Sequence, residues 1–113
     1  MRRRSAVDRT QPAIVAALRA LGASVQHLHV IGKGCPDICV GYRGRNYLVE
    51  IKDGGAPPNK QRLTADEVAW ARRWRGQVVV LTSVAEAVTW LQLLLPDFRV
   101  PETPYVLDAK GMP

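Results

Sequence analysis

Two short apolar runs, residues 37–42 and 46–52, stand on either side of Arg43-Gly44-Arg45. Such runs around a glycine-containing gap predict a β-hairpin. Side chains alternate faces along a strand, so the length of the turn decides which residues meet across the ladder. If the loop is Arg43-Gly44, residue 42 pairs with 45 and Asp37 falls opposite Glu50. If it is Gly44-Arg45, Asp37 falls opposite Lys52 and diagonal to Glu50. Either register gathers Asp37, Glu50 and Lys52 on one face and sends Tyr47, Val49 and Ile51 to a core-like face. A three-residue loop would break this parity.

The remaining elements are read from periodicity and punctuation. Ile14, Val15, Leu18 and Leu21 share one face of a helix expected over residues 9–21. Asp8 with Gln11 resembles a capping box, and Gly22 is the expected stop. A strand is expected over 24–31, then a loop at Gly32-Lys33-Gly34. The glycines and prolines of 53–62 mark another loop. Thr64-x-x-Glu67 is a capping box that opens a helix to about Arg75, with Gly76 ending it. Val78 to Leu81 is an unbroken apolar run, expected as a strand buried on both faces. Ser83-x-x-Glu86 opens a last helix with Val84, Val88, Leu91 and Leu95 inward, closed by Pro96. The order α-β-β-β-α-β-α implies an α/β fold with a mixed central sheet flanked by helices. Residues 1–96 are expected to form one domain, and 97–113 an extended tail.

Two carboxylates on one small patch repel, and one stays protonated unless a cation joins them. Mg²⁺ or Mn²⁺ answers this need, because such hard ions take one or two carboxylates, several waters and phosphate oxygens. A metal held there can polarise a phosphoryl oxygen and acidify a bound water. Lys52 beside it can orient or deprotonate that water, or hold the phosphate charge. The patch therefore suits phosphodiester hydrolysis.

Gly34-x-Pro36-Asp37-Ile38, a hairpin, and Glu50-Ile51-Lys52 together resemble the PD-(D/E)xK nuclease superfamily. Residues 8–90 carry the resemblance, which is strongest to the VRR-NUC branch and to small phage-encoded nucleases. It implies a restriction-endonuclease-like αβββαβ core and a metal-dependent deoxyribonuclease, selective for branched or flapped DNA. It further implies that Asp37, Glu50 and the carbonyl of Ile51 ligate the metal while Lys52 serves the attacking water. Relatives add an acidic residue on the first helix and a glutamine after the E-x-K strand. The candidates here are Asp8 or Gln11, and Glu67, which the capping box also explains. Pro96-Asp97 with Asp108-Ala109-Lys110 satisfies the same loose pattern. Its context rejects it, because Pro101 and Pro104 interrupt the segment that should form the hairpin.

The formal net charge of +6 favours a polyanionic partner, and DNA fits it. Arg2, Arg3, Arg4, Lys33, Lys60 and Arg62 are the candidate DNA contacts, with Arg72, Arg73 and Arg75 on a solvated helix face. A non-catalytic DNA-binding module is the competing reading, but paired carboxylates facing a polyanion do not serve plain binding. His27-x-His29 with Cys35-x-x-x-Cys39 matches no strong zinc spacing, and the cysteines read as small groups packed near the site. No secretory signal or membrane-length apolar run is visible, so a cytoplasmic setting is expected, in a prokaryote or a phage-infected cell. Phe98, Val100, Tyr105, Val106 and Leu107 make residues 97–108 apolar enough to contribute to a homodimer interface.

Overall fold

The computed structural model describes residues 9–94. Asp8, the arginine arm, the second P-D pair and the apolar tail lie outside these residues. Helix α1 (Thr10–Ala20) is followed by β1 (Ser24–His27), a 3₁₀ turn (His29–Ile31), β2 (Ile38–Tyr42) and β3 (Arg45–Ile51). A single-turn helix α2 (Pro58–Gln61), then α3 (Ala65–Arg73), β4 (Val78–Leu81) and α4 (Val84–Leu93) complete the chain. The expected α/β order is present, with α2 inside a segment expected to be loop.

The sheet order is β1-β2-β3-β4, antiparallel except for the parallel β3–β4 pair. Tyr42 pairs with Arg45, so the turn is Arg43-Gly44. Both turn residues have positive φ (53° and 81°), the geometry that matches the twist of a two-residue hairpin. Arg43 accepts a conformation unusual for a side chain, and its guanidinium lies 5.3 Å from the Tyr42 ring centre. In this register Ile38 faces Val49 and Val40 faces Tyr47.

One sheet face forms the core. Ile38, Val40, Val49, Ile51 and Leu81 pack against Ile14, Val15 and Leu18 of α1 and against Ala87 and Leu91 of α4. Ile14, Leu18, Ile38, Val40 and Val49 are fully buried, each worth about 1.5–3 kcal/mol of burial. Tyr47 meets Trp90 of α4 edge to face, with ring centres 5.3 Å apart. The α1 stop is as expected: the Gly22 and Ala23 amides donate to Arg19 and Leu18 carbonyls, closing a Schellman-type end. At the other end Arg9 occupies the cap position and its side chain makes no capping bond, while Asp8, the expected capping partner of Gln11, lies outside the described residues.

Several boundaries depart from the sequence reading. β1 ends at His27 because its partner begins at Ile38, and the Leu28 amide closes the ladder on the Asp37 carbonyl. Helix α3 stops at Arg73, not near Arg75, because Trp74 turns extended and stacks on Trp70 at 4.8 Å. β4 is an edge strand with Val80 40% exposed, so it is not buried on both faces. In α4 the inward face is Ala87, Trp90 and Leu91, with Leu94 just past the helix on the same core, while Val84 is exposed and Leu95 lies outside the described residues. That helix ends at Leu93, ahead of Pro96. Among the described residues no helix is long and apolar enough to cross a membrane.

Gly34 ties the hairpin to α3. Its φ is +85°, and a Cβ there would overlap the Asp66 carbonyl in the first turn of α3. Gly34→Ala should destabilise the fold by about 2 kcal/mol or more, combining left-handed strain with that overlap. Urea unfolding followed by circular dichroism checks this, and an unchanged midpoint would refute the close packing.

Candidate active site

The β2–β3 register, carried one step beyond Ile38 and Val49, sets Asp37 beside Glu50 on the face opposite the core. Of the two registers open to the sequence, the structure adopts the Arg43-Gly44 one. Asp37 Oδ2 accepts the Ile51 amide at 2.8 Å, which pins its carboxylate to the end of β3. Glu50 is only 4% exposed and is the sole polar or charged side chain among the buried described residues. Lys52 Nζ lies 3.5 Å from Glu50 Oε2 and 2.8 Å from Glu67 Oε1.

Glu67 therefore has two roles where the sequence favoured one. Its Oε1 accepts the Thr64 amide at 2.8 Å while the Thr64 hydroxyl accepts the Glu67 amide, a complete capping box. The same oxygen takes the Lys52 ammonium. A capping residue normally points back along its own helix, so its sequence context carried no sign of the second contact.

The electrostatics follow from burial and crowding. Burial pushes the Glu50 carboxyl up to about 9, helped by the Glu67 hydrogen bond and the charges of Asp37 and Glu67, with Lys52 opposing. Burial also raises Asp37, against the lowering effect of the Ile51 amide. Burial disfavours the Lys52 ammonium, but Glu67 and Glu50 outweigh it and raise Lys52. For Glu67 burial raises, and the bonds from Glu50, Lys52 and the Thr64 amide outweigh it and lower the carboxyl. Cys35 sits close enough for burial, Glu50 and Asp37 to raise its thiol, in keeping with a small group packed near the site.

The patch opens into a cleft of about 540 Å³. Gln11 at the start of α1 and Lys60 on α2 line it together with Asp37, Glu50, Ile51, Lys52 and Glu67. Gln11 is thus brought to the patch, as is Lys60. Lys33 and Arg62 are exposed but do not line the cleft. Asp8 and Arg2 to Arg4 lie outside the described residues. Thr10 and Asp53 also line the cleft and were not singled out from the sequence. Asp53 accepts the Gly55 amide at 2.9 Å, an ordinary turn contact with no sequence signal of a site.

The donor set fits a hard divalent ion. Buried Glu50 beside half-buried Asp37 at an open cleft is an environment that a hard divalent ion can neutralise while keeping several waters. Among the described residues, no three or more His, Cys, Asp or Glu side chains form a metal cage.

The raised carboxyls carry a stability consequence. A group whose folded pKa exceeds its unfolded value stabilises the fold at low pH and loses that contribution as pH rises through the folded value. Between the ordinary 4.5 of a glutamate and about 9, Glu50 should weaken the metal-free fold as pH rises, and Asp37 acts with the same sign. In chelator, Glu50→Gln should raise the thermal midpoint at neutral pH and flatten its fall with pH. Calorimetric scans across that range check this; a steeper fall in the variant would contradict the charge crowding.

No family model matches the chain, and no curated protein matches it. Among solved structures it is similar to one described as a VRR_NUC domain, with a TM-score of 0.58 and 26% identity. The similarity covers 77% of this chain and 95% of that one. With its mixed four-stranded sheet flanked by helices, the chain has a restriction-endonuclease-like fold and resembles the VRR-NUC branch of the PD-(D/E)xK nuclease superfamily.

Proposed function

We propose that this chain is a divalent-metal-dependent endonuclease that hydrolyses DNA phosphodiester bonds, with selectivity for branched or flapped DNA. The observation that carries this reading is buried Glu50 beside half-buried Asp37, with Lys52 against Glu50, at the wall of an open cleft. Such crowding costs stability, which argues for a site built to take a cation. A plain DNA-binding module would gain nothing from it.

Asp37, Glu50 and the Ile51 carbonyl are the proposed ligands. Bound Mg²⁺ or Mn²⁺ supplies Lewis acidity toward the phosphoryl oxygen and a water of lowered pKa. Lys52, gripped by Glu50 and Glu67, is proposed to orient that water and to hold the charge growing on the phosphate. Glu67 positions Lys52, and Gln11 and Lys60 are placed to meet substrate in the cleft. Arg2 to Arg4, Lys33 and Arg62 are kept as proposed contacts to the DNA backbone, and residues 97–108 as a proposed homodimer contact.

Cleavage of linear, flapped and four-way DNA should require Mg²⁺ or Mn²⁺ and stop with chelator. Asp37→Ala and Glu50→Ala should abolish it in folded protein, a loss on the order of a thousandfold or more, and should weaken Mn²⁺ binding by calorimetry. Full activity in either variant would refute the ligand assignment.

Lys52→Ala should cut turnover on the order of a hundredfold while sparing Mn²⁺ binding. Lys52→Arg should rescue poorly, because a planar guanidinium is a poor match for a space shaped around an ammonium between Glu50 and Glu67. Glu67→Gln should retain more turnover than Glu67→Ala, since an amide oxygen still receives both the Thr64 amide and Lys52. Equal loss in the two Glu67 variants would remove Glu67 from a positioning role.

A further inference from the structure

The chain stays against β4 as it leaves the end of β3. The Lys52 amide donates to the Leu81 carbonyl at 3.0 Å, and the Gly54 amide to the Thr82 carbonyl at 2.9 Å. Gly54 lies so close that a Cβ there would come within 2.7 Å of the Thr82 carbonyl oxygen. The chain then turns. Asp53 accepts the Gly55 amide at 2.9 Å on its side chain and the Ala56 amide at 3.0 Å on its carbonyl. Pro57 and Pro58 restrict the backbone on the way into α2.

Gln61, the last residue of α2, closes this segment on itself. Its side-chain amide donates to the Gly54 carbonyl at 3.0 Å and to the Ala56 carbonyl at 2.8 Å. Both donors of one NH₂ group are thus used on one turn. Residues 53–61 form a strap, held by Gly54 on β4, by the Asp53 turn and by the Gln61 side chain. No residue from 52 to 61 belongs to the hydrophobic core, so the clamp holds a wall of the cleft and not the centre of the fold.

That wall carries a cation. Asp53, Ala56, Pro57 and Lys60 line the cleft together with Asp37, Glu50 and Lys52. Lys60 is exposed and makes no ion pair with a carboxylate of the described residues. A lysine has a flexible four-carbon stem, so where its ammonium can go depends on where its backbone is held. A DNA strand advances about 3.4 Å per nucleotide, and a cleft of about 540 Å³ admits only a short stretch of one strand. A phosphate at Lys60 is therefore a near neighbour of one at Asp37 and Glu50.

We propose that Gln61 is a positioning residue: it locks the strap so that Lys60 delivers its ammonium to the backbone phosphate next to the scissile one. The proposal rests on the nuclease reading and adds to it a residue that touches no substrate. With the clamp broken, the base of the Lys60 stem drifts. The carboxylates stay in place, because the β2–β3 ladder and the Ile51 amide hold them.

The test is a double-mutant cycle read by DNA binding, apart from catalysis. Fluorescence anisotropy of the full chain in chelator measures its affinity for a blunt duplex over a range of salt. Lys60→Ala should weaken binding about threefold and make the log–log salt slope shallower by about 0.9, as one lost phosphate contact does. Gln61→Met keeps the side-chain length and removes the donors. It should weaken binding in the parent chain and add nothing in the Lys60→Ala chain. Gly54→Ala, which forces the strap off Thr82, should follow the same pattern. Far-ultraviolet dichroism accompanies each variant, and if Gln61→Met fails to fold, the Gly54→Ala cycle decides. Losses that add across the cycle, or an unchanged salt slope in Lys60→Ala, overturn the proposal. Cleavage of linear, flapped and four-way DNA by the unmodified chain with Mg²⁺ or Mn²⁺ is scored separately. Absence of any cleavage counts against the nuclease reading, whereas cleavage with an additive cycle counts against the clamp alone.

Discussion

The register of the β2–β3 hairpin is the constraint on which the rest depends. A two-residue turn at Arg43-Gly44 sets Ile38 against Val49 and, one step on, Asp37 against Glu50. The same parity sends Val49 and Ile51 into the core beneath α1 and α4. A slip of one residue would carry the carboxylates into the core and the core residues into the cleft. Core packing and site assembly are therefore enforced by one decision at the turn. Arg43 holds an unusual left-handed backbone there, and its contact with Tyr42 offsets part of the strain.

Burial of Glu50 sets the electrostatic character of the molecule. An ionised carboxylate that is 4% exposed needs a partner, and Lys52 at 3.5 Å is shared with Glu67 at a closer 2.8 Å. One ammonium cannot neutralise Asp37, Glu50 and Glu67 together, so without a further cation the patch keeps a proton on Glu50, whose carboxyl is pushed up to about 9. The hairpin and helix hold this arrangement through backbone contacts: the Ile51 amide on Asp37 and the Thr64 amide on Glu67. The scaffold thus spends stability on a pre-assembled anionic site, the kind of cost expected at a functional position.

Much of this was legible in the sequence where local rules decide. The hairpin pairing, the Thr64–Glu67 cap and the Gly22 stop follow from side-chain types and spacing, and all three are present. The gathering of Asp37, Glu50 and Lys52 needed only strand alternation and a turn of even length. What stayed hidden depends on partners distant in sequence. The length of β1 is set by where β2 begins, and the rotation of the α4 inward face by Trp90 meeting Tyr47. The exposure of β4 follows from its place at the edge of the sheet. A second cleft, between α1 and β1, joins residues 11–19 to 27 and 29, and no short motif announces it.

Glu67 shows how a helix cap can become part of a site. A glutamate that only caps a helix needs one backbone amide, and its charge is otherwise solvated. Here the close approach of Gly34 to the Asp66 carbonyl draws the first turn of α3 over the end of the hairpin. That approach brings the capping oxygen within 2.8 Å of Lys52, so one atom ends the helix and holds the ammonium. A glutamine, the residue the family resemblance leads one to expect there, could accept the same two donors but would add no negative charge. The glutamate makes the grip on Lys52 stronger and the patch more anionic, and both effects increase the need for a cation beside Asp37 and Glu50.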